Sequence, residues 1–234
     1  MIPKGIIFDY GGTLDSHGDH WSEVILDAYR EIGINPAWED FKEAYVTAER
    51  RLATQYIVRP EFTFGDVMAA KVSVQMEVLA ARGVIPMADA QPLAERIART
   101  CATKARTCVE EATPILKQLA ARYDMALVSN FYGNIMTVLH DFGIRRFFNH
   151  VIESAVVGVR KPDPAIFLMA CVAMHLQPSE VLVVGDSLSK DILPARSLGC
   201  ATAFIAGRQW REDAESELTD IQPTSLEAIA AGLL

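Results

Sequence analysis

The sequence predicts an α/β fold, a parallel sheet core carrying a helical insert. Three observations predict it. Short continuous apolar runs recur along the chain, as strands buried on both faces of a parallel sheet require. From residue 112 onward these runs alternate with segments of helical periodicity, the mark of a doubly wound sheet. Between the first run and the second, about residues 17–109 show helical spacing and no convincing strand.

The strand candidates are "GIIF" (5–8), "MALVS" (125–129), "VLVVG" (181–185) and "ATAFIA" (201–206), with a weaker one, "HVIES", at 150–154. Helical patterns fit 113–123, 133–142, 164–175 and 189–198. The first of these is expected to begin at Thr113 as N-cap with Pro114 at the first helical position. In the insert, apolar residues recur at helical spacing: Trp21, Ile25, Tyr29 and Ile32; Phe41, Tyr45 and Ala48; Val67, Val74 and Val78; Leu93, Ile97 and Cys101. Breaks near Gly33–Pro36, Arg59-Pro60 and Gly83–Pro86 divide it into about four helices. The expected organisation is a Rossmann-like core of residues 1–16 and 110–234, with a helical cap at 17–109. Ligands of open α/β sheets bind beyond the carboxyl ends of the strands, so an insert leaving the first strand there sits over the site as a lid. The aromatics Trp21, Tyr29, Trp38, Phe41 and Tyr45 are expected to pack the insert. The segment "YIVRPEFTF" (56–64), interrupted by Pro60, is expected to face the crevice.

Of 234 residues, half are hydrophobic, which is ample for a large core. The net charge of −8 argues against a nucleic-acid binder, which would show a basic face. Cys101, Cys108, Cys171 and Cys200 lack both the spacing of a zinc site and the density of a disulfide scaffold, and are expected to be free and buried. No signal peptide pattern and no apolar run approaching the ~20 residues of a bilayer span is present. A cytoplasmic protein, monomer or homodimer, without membrane or nucleic-acid partners, is the expectation.

The chemistry sits at the strand ends. Asp9 ends the first strand, in "FDYGGTL". Ser129 and Asn130 end the second clear one, in "LVSN". Lys161 follows the weak strand, in "RKPDPAIF". Asp186 ends the next, in "VVGDSLSKD", with Asp191 five residues on. In a parallel sheet these ends share one edge. Carboxylates gathered there repel and are desolvated. A divalent cation such as Mg²⁺ relieves both problems, and a lysine and a hydroxyl suit the oxygens of a phosphoryl group. Phosphoryl transfer asks mainly for such positioning and charge neutralisation. The dinucleotide fingerprint Gly-x-Gly-x-x-Gly does not follow a strand.

These four segments, in this order and spread over nearly the whole chain, resemble the motifs of the haloacid dehalogenase superfamily of hydrolases. The resemblance implies a Mg²⁺-dependent phosphatase acting on a small phosphorylated metabolite. It implies Asp9 as the nucleophile that forms an aspartyl-phosphate. It implies Mg²⁺ held by Asp9, Asp186 and the backbone carbonyl of Gly11, with Asp191 beside it or joined through water. Ser129 and Lys161 would bind the phosphoryl group, with Asn130 next to them, and Thr13 would hold the loop.

Gly11 departs from the pattern. The family's phosphatases carry there a second aspartate, which protonates the leaving group and then activates water. General acid–base catalysis is worth typically ~10²–10⁴-fold. Three readings stay open: a substrate with a good leaving group; a substitute among Asp15, His17, Asp19 and His20; or a site that binds a phosphorylated ligand or partner with little turnover. Relatives that cleave carbon–halogen bonds have Tyr at the Gly11 position and lack the acid that Asp186 supplies. Phosphonate-cleaving relatives have a small residue there and use an insert lysine, for which Lys42, Lys71 and Lys104 are the candidates.

Overall fold

The computed structural model of this chain describes residues 2–210 and 223–234. The first strand, β1 (Gly5–Phe8), is followed by four helices, α1 (Trp21–Glu31), α2 (Trp38–Thr54), α3 (Phe64–Ala81) and α4 (Ala90–Ala120). The chain then runs β2 (Asp124–Ser129), α5 (Ile135–Asp141), β3 (His150–Glu153), α6 (Ser154–Val157), α7 (Ala165–Ala173) and β4 (Val181–Gly185). After it come α8 (Leu193–Ser197), β5 (Ala201–Ile205), β6 (Pro223–Thr224) and α9 (Leu226–Leu233). The strands form one parallel sheet in the order β3-β2-β1-β4-β5-β6. Strand β6 was not expected from the sequence. Among the described residues no helix is long and apolar enough to cross a membrane.

The central strand explains why its sequence is uninterruptedly apolar. Ile7 pairs with Ala126 of β2 and Val183 of β4. It points into a core layer with Ile166, Phe167, Ala170 and Cys171 of α7. Ile6 and Phe8 point the other way, into a layer with Leu116 and Leu119 of α4, Val138 of α5 and Ile229 of α9. Both faces are covered, so both sets of side chains must be apolar. The Phe8 ring meets the fully buried Phe148 edge to face, with centroids 6.2 Å apart. All four cysteines are free and buried.

One expected helix start is wrong. Residue 113 does not begin a helix. Helix α4 runs unbroken through it, and the Thr113 hydroxyl donates to the Val109 carbonyl one turn back, at 2.7 Å. Pro114 lies inside the helix, on its exposed side. The reason is a buried stripe that never breaks: Ile97, Cys101, Ala105, Cys108, Ala112, Leu116 and Leu119. Its spacing, steps of four, four and three residues repeated twice, keeps one face in the core, which outweighs the hydrogen bond that proline removes. The boundary expected between residues 109 and 110 thus falls within this helix. The segment 189–198 is also irregular: a π-helical turn, Leu188–Ile192, precedes α8.

Proline in a helix interior costs about 3 kcal/mol relative to alanine, offset by about 0.4–1 kcal/mol from a stiffer unfolded chain. Because residue 114 is exposed, Pro114→Ala is expected to stabilise the protein by roughly 2 kcal/mol. The check is a urea unfolding midpoint that rises at constant slope; a lower midpoint contradicts this account of α4.

Candidate active site

The carboxyl ends of β1, β2 and β4 lie side by side, and the expected residues converge there. Asp9 follows β1, and its N–H still donates to the Val184 carbonyl of β4, at 2.9 Å. That bond fixes the backbone from which the carboxylate projects. Asp186 leaves β4, and Asp191 is turned back toward it by the π-helical turn, a distortion often found at functional sites. Oxygens of Asp9, Asp186 and Asp191 all lie within 4.8 Å of one another, and all three residues are buried.

Two glycines make this approach possible. A Cβ on Gly12, whose φ is +99°, would lie 2.2 Å from the Asp186 carboxylate. A Cβ on Gly185 would lie 2.5 Å from the Cβ of Asp191. Either would push an acid out of the cluster.

Lys161 holds the acids together. Its ammonium donates to Asp9 Oδ1 at 2.5 Å and to Asp191 Oδ1 at 2.7 Å. Burial alone would lower its pKa, but Asp191 and Asp9 hold it well above the usual lysine value. The Thr13 hydroxyl lies 3.1 Å from Asp9 Oδ2 and 2.9 Å from Asp186 Oδ1, so it ties the loop to the cluster. Asn130 is committed to the backbone of Lys161: its amide donates to the Lys161 carbonyl and accepts from the Lys161 N–H, both at 3.0 Å. Ser129, at the end of β2, lines a cavity of about 180 Å³ with Asp9, Gly11, Asn130, Lys161, Asp186 and Asp191. That volume suits a phosphoryl group and a few waters.

The electrostatics ask for a cation. Lys161 bridges two of the three carboxylates, and Arg160 and Lys190 line the same cavity. Burial, and then the Asp9 and Asp191 charges, push Asp186 well above the carboxylate range. Burial pushes Asp191 up to about 6 despite Lys161. A hard divalent ion is the group that would relieve this, and the three buried carboxylates are an all-oxygen set that could hold one.

The candidates for the missing acid separate. His17 pairs with Glu111 at 3.0 Å and lines a different cavity, with Leu14, Thr224 and Glu227. Asp19 is held by Arg208, through both its backbone N–H and its guanidinium. His20 lines the site cavity, and Nδ1 caps α1 by accepting from the Ser22 N–H. Burial and then Lys190 lower its pKa to about 4, so its imidazole is neutral. Asp15 is fully buried, and its Oδ1 accepts from the Gly12 N–H at 2.8 Å and the Trp21 indole at 3.0 Å. Burial raises it to about 7, and Oδ2 has no hydrogen-bond partner among the described residues.

A second cavity of about 130 Å³ opens beside Gly11 under the insert. Trp21, Tyr45, Phe64 and Lys71 line it, with Glu49 and Tyr132. Trp21 and Tyr45, expected to be packing, therefore reach the site. Of the segment 56–64, Phe64 lines this cavity. Pro60 and Phe62 dock instead on the next layer, their carbonyls accepting from Thr137 and Asn134. Glu49 and Tyr132 were missed by sequence reasoning. A lone Glu on an amphipathic helix carries no signal until its neighbour across the fold is known. Lys71 was named for another chemistry. Lys104 lines a separate cavity, with Cys101 and Arg208.

The haloacid dehalogenase-like hydrolase family model matches residues 3–199, most of the chain. The chain belongs to that family. Among curated relatives, haloacid dehalogenase-like hydrolase domain-containing protein 3 of Bos taurus is 35% identical over 83 residues, covering 36% of this chain and 33% of that protein. Glyceraldehyde 3-phosphate phosphatase of Methanopyrus kandleri is 39% identical over 70 residues, covering 30% of each. The matched segments thus span about a third of these relatives' length. Solved structures align over nearly the whole chain. The HAD-hydrolase YfnB of Bacillus subtilis, bound to magnesium, superposes with a TM-score of 0.58 at 20% identity, covering 100% of this chain and 99% of that one. An L-2-haloacid dehalogenase superposes with a TM-score of 0.58 at 22% identity, covering 99% and 100%. They share the fold, and their differing chemistries leave the reaction to be argued from the residues.

Because the three buried acids repel one another, Mg²⁺ is expected to raise the thermal midpoint of the wild type. Asp186→Asn removes one of the repelling charges, so it should be more stable than wild type without Mg²⁺ and lose most of the Mg²⁺ response. Differential scanning fluorimetry with a Mg²⁺ titration reads both; an equal Mg²⁺ shift in the variant contradicts the cation site.

Proposed function

We propose that this protein is a Mg²⁺-dependent phosphatase of small phosphorylated metabolites, working through a phosphoryl group carried on Asp9. The observation that carries the reading is the buried set at one sheet edge. Asp9 is held between Lys161 and Thr13, with Asp186 and Asp191 close enough to share a cation. The names of the phosphatase relatives agree with it. The helices α1–α4 act in this reading as the cap.

An Asp9 carboxylate oxygen attacks phosphorus, and the bond from phosphorus to the leaving-group oxygen breaks in line. The leaving oxygen takes a proton. Water then attacks the aspartyl-phosphate, the bond to Asp9 breaks, and phosphate departs with the carboxylate restored. Lys161 orients Asp9 and offsets charge on the transferring group, and the Ser129 hydroxyl donates to it. A bound Mg²⁺ would supply further neutralisation of the phosphoryl oxygens.

Gly11 limits the leaving group. Without a carboxyl there, esters that leave as poor alkoxides depend on protonation from elsewhere, for which buried Asp15, raised to about 7, is the nearby acid, whereas neutral His20 has no proton to give. The phosphonate reading is weaker, because Glu49 holds Lys71 as an ammonium and an ammonium is not a nucleophile.

Phosphate release from acyl, aryl and alkyl phosphates tests the reading. Turnover is expected with Mg²⁺, fastest for acyl and aryl phosphates, and at least ~10³-fold lower in Asp9→Asn, since covalent catalysis is lost outright. Undiminished turnover in Asp9→Asn would sink the reading. A Cβ at Gly11 would meet nothing closer than Trp21 at 4.0 Å, so the site has room for a side chain. Gly11→Asp is therefore expected to raise alkyl phosphate turnover by roughly 10²-fold and to change acyl phosphate turnover little. Equal gains on both classes would show that the gap at residue 11 does not set leaving-group preference.

A further inference from the structure

An open groove of about 580 Å³ leads away from the 180 Å³ site cavity, and the two share Glu49, Asn130 and Arg160. Arg160 stands next to Lys161, whose backbone Asn130 clamps, so its point of departure is fixed. Further along the groove lies Arg50 of α2. Lys190 also lines the site cavity, on the π-helical turn that aims Asp191. It is half-buried, and its charge is felt in the cavity, where it helps to keep His20 neutral. Among the described residues none of Arg50, Arg160 and Lys190 forms an ion pair. The acids facing them are already engaged. Glu49 lies 2.5 Å from Lys71 and accepts from the Tyr132 hydroxyl at 2.7 Å. Lys161 bridges Asp9 and Asp191, and these with Asp186 are the set that a divalent ion would offset.

Unpaired positive charge is thus set along the way out of the site, in a chain whose net charge is −8. Gly11 says what would use it. Where residue 11 has no carboxyl to protonate it, the favoured leaving group is one that departs as a stable anion. An anion forming beside three carboxylates needs cations close by. An aryl group spreads its charge over a ring, and a carboxylate carries a single charge. A phosphate carries more than one, and its oxygens match the fork of a guanidinium, which binds them two at a time. The pocket beside Gly11 does not suit it, being lined by buried Asp15 and by the rings of Trp21, Tyr45 and Phe64. The groove does: it is open, and Arg160 stands where the site cavity passes into it.

We propose that Arg160, with Lys190 and Arg50, forms an anion subsite for the leaving group, and that the substrates are phosphoric anhydrides: diphosphates whose leaving group is itself a phosphate or a phosphate ester. Asp9 attacks the terminal phosphorus, and the bond from that phosphorus to the bridging oxygen breaks. The bridging oxygen keeps the electron pair and leaves as part of the second phosphate, taking a proton from water only after it has left. This rests on the phosphatase reading above and adds to it the class of substrate.

Inorganic pyrophosphate, p-nitrophenyl phosphate and acetyl phosphate test it, at one fixed concentration of free Mg²⁺. Nitrophenolate and phosphate are leaving groups of similar basicity that differ in charge, so the ratio of their kcat/KM values reads the subsite. In wild type, kcat/KM for pyrophosphate is expected to exceed that for p-nitrophenyl phosphate by at least ~10-fold, the scale of charge-assisted hydrogen bonds to one guanidinium. Arg160→Gln should cut that ratio by at least ~10-fold, and Arg50→Gln by less. Arg160→Lys keeps the charge and loses the fork, so its ratio should lie between those of wild type and Arg160→Gln. Both arginines are exposed, and unfolding midpoints close to wild type show that the variants fold. Calorimetric titration with methylenediphosphonate, which cannot be cleaved at its bridge, reads the subsite without turnover: wild type should bind it at least ~10-fold tighter than Arg160→Gln. If p-nitrophenyl phosphate or acetyl phosphate is hydrolysed but pyrophosphate is no better than p-nitrophenyl phosphate, or Arg160→Gln leaves their ratio unchanged, the subsite is overturned and the phosphatase reading stands. If none of the three is hydrolysed, yet methylenediphosphonate binds wild type and binds Arg160→Gln more weakly, the anion site stands without the phosphatase reading. If none is hydrolysed and that binding is absent or equal in the two proteins, both fall.

Discussion

Three buried carboxylates must share one edge of the sheet, and the rest of the structure answers to that constraint. Asp9, Asp186 and Asp191 lose water on burial and repel one another at the separations found here. One ammonium, Lys161, bridges two of them, and its own backbone is clamped by Asn130. The repulsion left between the three acids is what a divalent cation would offset. The apolar strands β1 and β4 provide the rigid floor from which two of the acids project. Gly12 and Gly185 are the positions at which any side chain would break the cluster apart.

The insert adds a second layer of charge. Around Asp9 three carboxylates are gathered about one ammonium, Lys161. Around Glu49 the charges form a nearly neutral pair, with an ammonium against aromatic faces on one side and an acceptor on the other. A buried ion pair of this kind is weak support for stability, since desolvation offsets much of the attraction.

Much of this was legible in the sequence. Each of Asp9, Ser129, Lys161 and Asp186 stands at or just beyond the end of an apolar run, and a parallel sheet brings such ends together without further information. The helices of the insert showed in their apolar spacing. What failed had physical causes. The turn chemistry of Thr113-Pro114 looks like a helix start, but the stripe from Ile97 to Leu119 overrides it, and only its unbroken spacing could have said so. His17 and Asp19 lie within the same loop as Asp15 and His20, yet Glu111 and Arg208, far off in sequence, draw them away from the cavity. Glu49 and Tyr132 are separated by more than eighty positions, and their hydrogen bond exists only because α2 folds over the end of β2.

The central claim is that Asp9 itself carries the phosphoryl group. Its most direct measurement is acid quenching of the enzyme within milliseconds of mixing with Mg²⁺ and acetyl phosphate, followed by peptide mass spectrometry. The account predicts a phosphoryl adduct on the peptide "GIIFDYGGTL", located at Asp9, that forms faster than phosphate is released and is absent from Asp9→Asn. Steady phosphate release with no adduct at Asp9, or an adduct on another residue, would contradict it.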